Sequence, residues 1–279
     1  MAVSAILKSS TEQGFAVRRR LLPHPKLAEY VRGYQCEEGL AVETTAQPFA
    51  ASVFPLLCFF LAEPVRAFEH ALRKTRTLPC TIVVGPCDHR VADVLRAGYL
   101  KHFAVSFQPT GFFRLFGVSP WEIRNLAYDC RDVLGQQVAG LNARLREATC
   151  PEDMVFAVEE VLLAACTRAS PRSSMHYASD ALMRSKGRVD LLALADSLGL
   201  SDSSWRRHFR CEIGATPKRY LRMLRFRHAI ALKRASPERQ WTQVCLEAGY
   251  YDQAHFIADC QALVGSTPSR FMHELAAQR

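Results

Sequence analysis

The sequence predicts an α+β protein with a β-rich N-terminal part, a helical connection and an all-α C-terminal part. Three observations support this prediction. Short apolar or aromatic runs bounded by proline or glycine occur between residues 49 and 116, and such runs are typical of strands. From residue 135 onward, apolar residues recur at three- and four-residue spacing, which indicates amphipathic helices. Within that helical part, a helix-turn-helix pattern occurs twice.

The length of 279 residues favours more than one domain. We predict a β-rich domain over residues 1–134, a helical dimerisation or linker element over residues 135–174, and a double helix-turn-helix domain over residues 175–279. The segment SPRSS at residues 170–174 is the best linker candidate, because proline and serine disfavour regular structure.

The N-terminal part begins with a loop and short helix at residues 21–34, followed by predicted strands at residues 52–61, 77–86 and 100–116. These strands predict a small barrel or sandwich. Residues 44–62 carry no charge, but Pro48 and Pro55 argue against a membrane span, and we expect a buried pair of strands there. Residues 121–134 are expected to form a connection.

We expect a cytoplasmic protein. The N-terminus lacks a basic start followed by a sufficient apolar run, so no signal peptide is expected. The ten cysteines are scattered without a C-x-x-C pair, which favours reduced, mostly buried thiols over a disulfide framework.

Two amphipathic helices are predicted at residues 135–148 and 151–168. A helix pair between two domains is a plausible homodimer interface. The alternative that these helices simply cover the β-rich domain is equally compatible with the pattern.

The first helix-turn-helix pattern spans residues 190–213, with Gly199 in the turn. Ser201 is a good N-cap for the second helix of the pair, since its hydroxyl can accept a bond from a first-turn amide. Trp205, Phe209 and Ile213 follow at spacings of four and predict a buried face. The opposite face carries Ser203, Arg206, Arg207 and Arg210, and is therefore cationic.

The pattern repeats with an offset of fifty-one residues, so that Trp205 corresponds to Phe256 and Pro217 to Pro268. Between the two copies, residues 217–235 predict one long helix. Pro217 occupies the tolerated first position, and Ser236-Pro237 ends the helix.

These motifs resemble the AraC/XylS family of transcription regulators. The residues that carry the resemblance are Leu200-Ser201-x-Ser203-x-Trp205-x-Arg207-x-Phe209, Gly214-x-Thr216-Pro217-x-x-Tyr220-Leu221, Arg225-x-x-x-Ala229, Gly249-Tyr250-x-Asp252-x-x-x-Phe256 and Gly265-x-Thr267-Pro268-x-x-Phe271. The N-terminal part is similar to the cupin-like sensor domains of this family, in Pro25-x-Leu27-x-x-Tyr30-Val31, Gly85-Pro86 and Phe107-Gln108-Pro109.

The resemblance implies a sequence-specific DNA-binding transcription regulator that acts as an activator and forms a homodimer. It implies double-stranded DNA and RNA polymerase as partners and allows a small-molecule effector at a cupin-like barrel. No membrane, cofactor, metal or enzymatic activity is expected. By resemblance, the DNA-binding candidates of the first unit are Ser201, Ser203, Arg206, Arg207 and Arg210; Lys218 and Arg222 on the joining helix are either phosphate contacts or solvated charges.

The charge distribution agrees with a main role for the first unit. Residues 179–235 hold 13 basic and 5 acidic side chains, a net charge of +8, whereas residues 236–279 hold 3 basic and 5 acidic, a net charge of −2. A polyanion such as DNA is attracted by the first segment and not by the second.

The second unit departs from the family pattern, because Ala258 replaces a usual arginine and Cys260 replaces an expected aromatic residue. Gln253 is a candidate for pairing with adenine and His255 for reaching a phosphate. The alternative is that this unit serves packing or a protein contact, such as RNA polymerase.

Two other functions remain open at this point. Cys87, His89 and His102 are candidate metal ligands if the barrel brings them together, which would make the N-terminal domain a cupin-type metalloenzyme tethered to DNA. The net −2 charge of the second unit is compatible with a regulator that acts through protein contact. Sequence signatures of hydrolases, zinc proteases and nucleotide-binding loops do not occur.

Overall fold

The computed structural model describes residues 5–11, 14–138 and 140–276. An antiparallel β-sheet domain is followed by helices, so the predicted α+β class and its order along the chain are confirmed.

Within these described residues, the sheet contains nine strands that pair in the order β1-β2-β3-β8-β4-β7-β9, with β5 on β8 and β6 on β5. Their bounds are β1 Ala5–Thr11, β2 Gly14–Leu21, β3 Val31–Phe49, β4 Leu56–Phe60, β5 Arg66–Glu69, β6 Lys74–Thr77, β7 Thr81–Val84, β8 Ala92–Phe107 and β9 Ala127–Asp129. The long strands β3 and β8 pair along most of their length, with an irregularity between Ala41 and Thr45. The first part of β8 also pairs with β5 and its second part with β4, so the sheet bends around these two strands.

One face of the sheet is covered by helices α1 Gly111–Phe116, α2 Cys130–Leu134, α3 Leu141–Glu147 and α4 Pro151–Cys166. Phe59 and Phe103 on this face share one buried cluster with Leu145 and Val158 of α3 and α4. The helices predicted at residues 135–168 therefore cover the sheet. Their use in a dimer stays a prediction for the outer side of α4.

Three details of the predicted β-rich part were wrong. Residues 111–116 form helix α1 rather than the end of a strand, and Phe112 and Leu115 are buried by it. Residues 121–134 contain β9 and α2 rather than only a connection. The strands within residues 44–62 pair with β8 and not with each other, since β8 lies between them.

The C-terminal helices are α5 Ser174–Arg184, α6 Leu191–Ser197, α7 Asp202–Ile213, α8 Pro217–Ala235, α9 Trp241–Glu247, α10 Gln253–Val264 and α11 Pro268–Ala276. The predicted start of α7 is confirmed, because the Ser201 hydroxyl accepts a hydrogen bond from the amide of Ser204 at 3.3 Å. Asp252 caps α10 in the same way, accepting from the amide of His255 at 2.7 Å. We call α6 and α7 the first unit and α9 and α10 the second unit.

The two domains are in extensive contact. Val53 and Phe54, from the loop before β4, belong to the hydrophobic core of the C-terminal helices. The amide of Ala51 donates to the carbonyl of Leu263 at 3.2 Å. At the end of α7, the hydroxyl of Ser119 donates to the carbonyl of Cys211 at 2.9 Å. The β-sheet domain thus holds the C-terminal ends of both α7 and α10.

Gly214 shows how close this approach is. It ends α7 with a φ of 82°, and a Cβ built at this position would lie 2.7 Å from the Cβ of Pro120. Any larger residue would meet both backbone strain and a clash with the β-sheet domain.

Candidate nucleic-acid interface and effector cavity

The helix α7 has the two faces that its sequence predicts. Trp205, Phe209 and Ile213 are at most 2% exposed, so the expectation that they are core residues is confirmed. The exposed side presents Ser203, Arg206, Arg207 and Arg210, and the capping Ser201 is also exposed at its start. A hydroxyl–hydroxyl contact of 3.2 Å joins Ser201 and Ser203. This places the candidates of the first unit on one continuous surface.

The guanidinium of Arg206 is held by Asp202. Its Nε donates to Oδ1 at 2.9 Å, and its Nη2 lies 2.9 Å from Oδ2. This pairing uses the Nε side of the guanidinium and leaves the outer pair of N–H groups on Nη1 and Nη2 available. Those outer donors match the O6 and N7 acceptors of guanine in a major groove. Sequence reasoning missed Asp202, although an acidic residue four positions before an arginine on a helix is a recognisable signal.

The other cations of this surface differ in their surroundings. Arg207 and Lys218 are exposed. The guanidinium of Arg210 lies 5.0 Å from the ring centroid of Trp121 in the β-sheet domain, within cation–π distance. Arg210 therefore takes part in the contact between the domains.

Arg222 has a structural partner. Its Nε donates to Oδ1 of Asp259 at 2.5 Å, and the Asp259 side chain is only 4% exposed. This ion pair joins α8 to α10, so Arg222 serves the packing of the second unit against the joining helix.

The second unit presents a different surface. The hydroxyl of Thr242 donates to Oε1 of Gln253 at 3.1 Å, which fixes the glutamine amide at the start of α10. His255 is exposed, with its ring 5.2 Å from that of Tyr250 in an edge-on arrangement. Ile257 is 39% exposed, and α10 contains neither lysine nor arginine.

A second candidate site is a cavity of about 870 Å³ between the β-sheet and helix α8. Its apolar lining includes Phe49, Leu56, Phe60, Val94 and Leu100, and its arginines are Arg20, Arg32, Arg96, Arg227 and Arg234. This volume is typical of small-molecule sites, and the lining combines apolar walls with several cationic groups. Of the phenylalanine side chains in the β-sheet domain, Phe49 and Phe60 line the cavity, whereas Phe54, Phe59, Phe103, Phe107 and Phe112 are buried core residues.

Two arginines from different domains meet at Phe54. The guanidinium carbon of Arg32 on β3 lies 3.8 Å from the ring centroid of Phe54, and that of Arg227 on α8 lies 4.6 Å from it. Within the described part of the chain, neither guanidinium has a carboxylate partner. Partial burial and the like charge of Arg227 lower the pKa of Arg32 to about 10. The pair favours an anion at this position.

An ionic cluster around the buried Glu37 forms another part of the cavity lining. Glu37 is 1% exposed and accepts hydrogen bonds from Arg18 and Arg96. Burial raises the pKa of Glu37, but the hydrogen bonds and charges of Arg96 and Arg18 outweigh it and bring the pKa to about 2. Burial lowers the pKa of the neighbouring His102 to about 4. Glu37 is thus ionised and His102 neutral near neutral pH.

The three candidate metal ligands do not assemble. His102 stacks on Phe60 at 5.5 Å, the thiol of Cys87 contacts the carbonyl of Gly85, and Nδ1 of His89 lies 2.8 Å from Asp88. Among the described residues, no group of three or more His, Cys, Asp or Glu side chains could hold a metal ion. In the same part of the chain, no helix combines the length and apolar character needed to cross a bilayer.

Comparison with known proteins adds a domain match in the C-terminal part and a fold for most of the chain. Residues 194–274 match the family model described as a helix-turn-helix domain, which confirms the AraC-type resemblance of the C-terminal part. No protein with a curated description matches the sequence.

Solved structures of ToxT from Vibrio cholerae are similar over most of the chain. One is 9% identical, covers 86% of this chain and 98% of its own, and superposes with a TM-score of 0.52. An apo lysine-to-alanine variant from strain SCE256 is 11% identical with a TM-score of 0.50, covering 87% and 97%. ToxT from strain O395 bound to (E)-4-(8-methylnaphthalen-1-yl)but-3-enoic acid is 11% identical with a TM-score of 0.50, covering 85% and 96%. At this identity the similarity shows a shared fold across both domains.

Proposed function

Given a helix-turn-helix domain at residues 194–274, we propose that this chain is a sequence-specific DNA-binding transcription regulator whose activity is set by an effector in the N-terminal domain. The observation that carries the proposal is the cationic face of α7, where Asp202 orients Arg206 beside the exposed Arg207.

Duplex DNA requires cations for its phosphates and aligned donors for its base edges. In the first unit, Arg206 supplies the aligned donors, and Arg207 and Lys218 supply exposed positive charge. Ser201 and Ser203 add hydroxyls at the helix N-terminus, which attracts phosphate through its unpaired amides. The first unit therefore dominates binding, with Arg206 reading bases and Lys218 contacting phosphate.

The test of DNA binding is selection of random-sequence duplexes by the purified full chain, followed by sequencing. We expect an enriched motif containing guanine at one or two positions that Arg206→Ala relaxes. Two units one helical turn apart on one DNA face would give two blocks about 10 bp apart. Absence of any enrichment, with and without the effector probe described below, would refute the proposed function.

The proposed effector is an amphipathic carboxylate. Its anionic group would lie between Arg32 and Arg227, and its apolar part along Phe49, Leu56 and Phe60. One of the similar ToxT structures contains a carboxylic acid with a naphthalenyl group, which supports this choice of chemistry. Because Arg32 lies on β3 and Arg227 on α8, such an anion would join the β-sheet domain to the helix between the two units.

The effector is tested by titrating the full chain with this naphthalenyl butenoic acid and with its neutral methyl ester, using calorimetry. We expect the acid to bind, the ester to bind at least about tenfold more weakly, and Arg227→Ala to remove this difference, because a charge-assisted contact contributes about 1.5–3 kcal/mol. The matched control is Arg131→Ala, which removes an arginine that is 82% exposed on α2. Equal binding of acid and ester by the wild type would exclude an anion site.

We also propose that the chain forms a homodimer, contacts RNA polymerase and activates transcription. The outer side of α4 carries Phe156, which is 73% exposed and is a candidate centre for a homodimer contact. A cupin-like sensor that acts on a promoter would work in the cytoplasm, where duplex DNA and RNA polymerase are found.

A further inference from the structure

The second helices of the two units have the same length and equivalent caps, so each position of α10 has a counterpart on α7. Both helices have twelve residues, begin after a capping side chain and end at a glycine in the left-handed conformation. With the offset of fifty-one residues, Ile257 stands where the first unit has Arg206, and Ala258 stands where it has Arg207. The base-reading positions are therefore cationic in the first unit and apolar in the second.

The exposed side of α10 consists mainly of small or apolar side chains. Ala254 and Ala258 are exposed, and Ile257 lies next to both of them on the helix surface with 39% exposure. Within a major groove the only apolar groups are the 5-methyl groups of thymine. The small alanine side chains next to Ile257 let the helix approach the groove closely enough for an isoleucine to reach such a methyl group.

Gln253 supplies a hydrogen-bonding group beside this apolar surface. The hydroxyl of Thr242 donates to its Oε1 at 3.1 Å and so fixes the amide plane. Oε1 retains a second lone pair, and Nε2 retains its donors. Such an amide can accept from N6 and donate to N7 of adenine, which is the recognised pairing of glutamine with that base. Gln253 corresponds to Asp202, so each unit has a hydrogen-bonded polar side chain at this position: Asp202 holds Arg206, and Gln253 is itself held by Thr242.

We propose that the second unit reads an A·T-specific block, with Gln253 recognising an adenine and Ile257 contacting the methyl groups of neighbouring thymines. The first unit then reads a guanine-containing block through Arg206. This inference rests on the proposed function, since it requires that the chain binds duplex DNA. A protein partner on the same face is the competing explanation, and the hydrogen-bonded amide at the start of α10 favours DNA.

The test uses the full chain and a duplex obtained by selection. Each thymine of the second block is replaced by deoxyuridine, which lacks only the 5-methyl group, and affinity is measured by fluorescence anisotropy. We expect about a fourfold loss at each contacted thymine, the factor for removing one buried methyl-sized group. Ile257→Ala should show the same loss on the normal duplex and no further loss on the deoxyuridine duplex.

Gln253 is tested with 7-deazaadenine, which removes the N7 acceptor. The wild type should lose about fivefold or more, corresponding to the lower end of a base-specific contact, and Gln253→Ala should be insensitive to the change. The matched control is Leu246→Ala on α9, which removes an apolar side chain of 58% exposure from the same unit and should leave affinity unchanged.

Three results would overturn the inference. If the selected motif contains only the first, guanine-containing block, the inference is wrong but the proposed function is retained. If the losses of affinity caused by Ile257→Ala and by deoxyuridine multiply when the two changes are combined, the changes act independently, and the methyl contact is excluded. If the chain selects no duplex at all, both the inference and the proposed function are wrong.

Discussion

Replacing Arg206 by alanine separates base reading from phosphate attraction in the first unit. The Asp202–Arg206 pair is exposed, with side-chain exposures of 56% and 62%, so its loss should change the free energy of unfolding by only about 0.3–0.5 kcal/mol. The folded protein is therefore retained. On DNA, a bidentate contact to guanine discriminates by about 1–3 kcal/mol, so Arg206→Ala should lower the preference for guanine at one position by a factor of about 5 to 150.

Lys218→Ala is the matched comparison, because it removes one exposed cation near α7. It should weaken binding to the selected duplex and to a scrambled duplex equally. If Lys218 neutralises one phosphate, the slope of log K against log salt should fall in magnitude by about 0.9. Asp202→Asn should bind the scrambled duplex more tightly, because one negative charge is lost. It should also discriminate less well for guanine, because Arg206 is less well oriented.

The assay is fluorescence anisotropy over a salt series, with the selected duplex, the same duplex carrying a G·C to A·T change in the first block, and a scrambled duplex. The reasoning is refuted if Arg206→Ala and Lys218→Ala change base preference by the same factor. It is also refuted if Asp202→Asn improves discrimination, since that would mean that the carboxylate competes with guanine for the guanidinium.

Three further predictions concern the stability and assembly of the fold. Asp259→Asn should lower the free energy of unfolding by about 3 kcal/mol in urea titration, the lower end for a broken buried pair because Arg222 is 33% exposed; an effect below about 1 kcal/mol would contradict the assigned packing role. Glu37 has its pKa lowered, so its contribution to stability is present above pH 4.5 and is lost as the pH falls towards about 2; melting temperatures of wild type and Glu37→Gln should converge over this range, and parallel curves would contradict it. Phe156→Glu should shift the protein from dimer to monomer in analytical ultracentrifugation, whereas an unchanged dimer would exclude α4 as its interface.

The C-terminal domain was predicted closely because its information is local and repeated. The bounds of α8 and the capping role of Ser201 follow from proline, serine and glycine at fixed positions, and these residues act on the backbone beside them. The prediction of two buried aromatic faces holds for the same reason, since helical spacing alone places Trp205 and Phe256 inward.

The β-sheet domain was predicted less well, because its pairing is non-local. Helix α1 at residues 111–116 was mistaken for a strand, since a short apolar run does not distinguish the two periodicities. The partner of Arg222 and the meeting of Arg32 with Arg227 join distant segments, and no spacing rule in the sequence specifies them. The site residues with local partners were thus accessible from sequence, and those with distant partners required the structure.

The position of Val53 and Phe54 has a consequence for how this protein unfolds. Both side chains are at most 5% exposed within the core of the C-terminal helices, although they precede those helices by more than a hundred residues. A truncated chain that starts at the linker would lose them, and removing a buried phenylalanine alone typically costs about 3–5 kcal/mol. The cooperative unit of folding is therefore larger than the C-terminal domain that the sequence delimits. Unfolding of either domain removes contacts that stabilise the other.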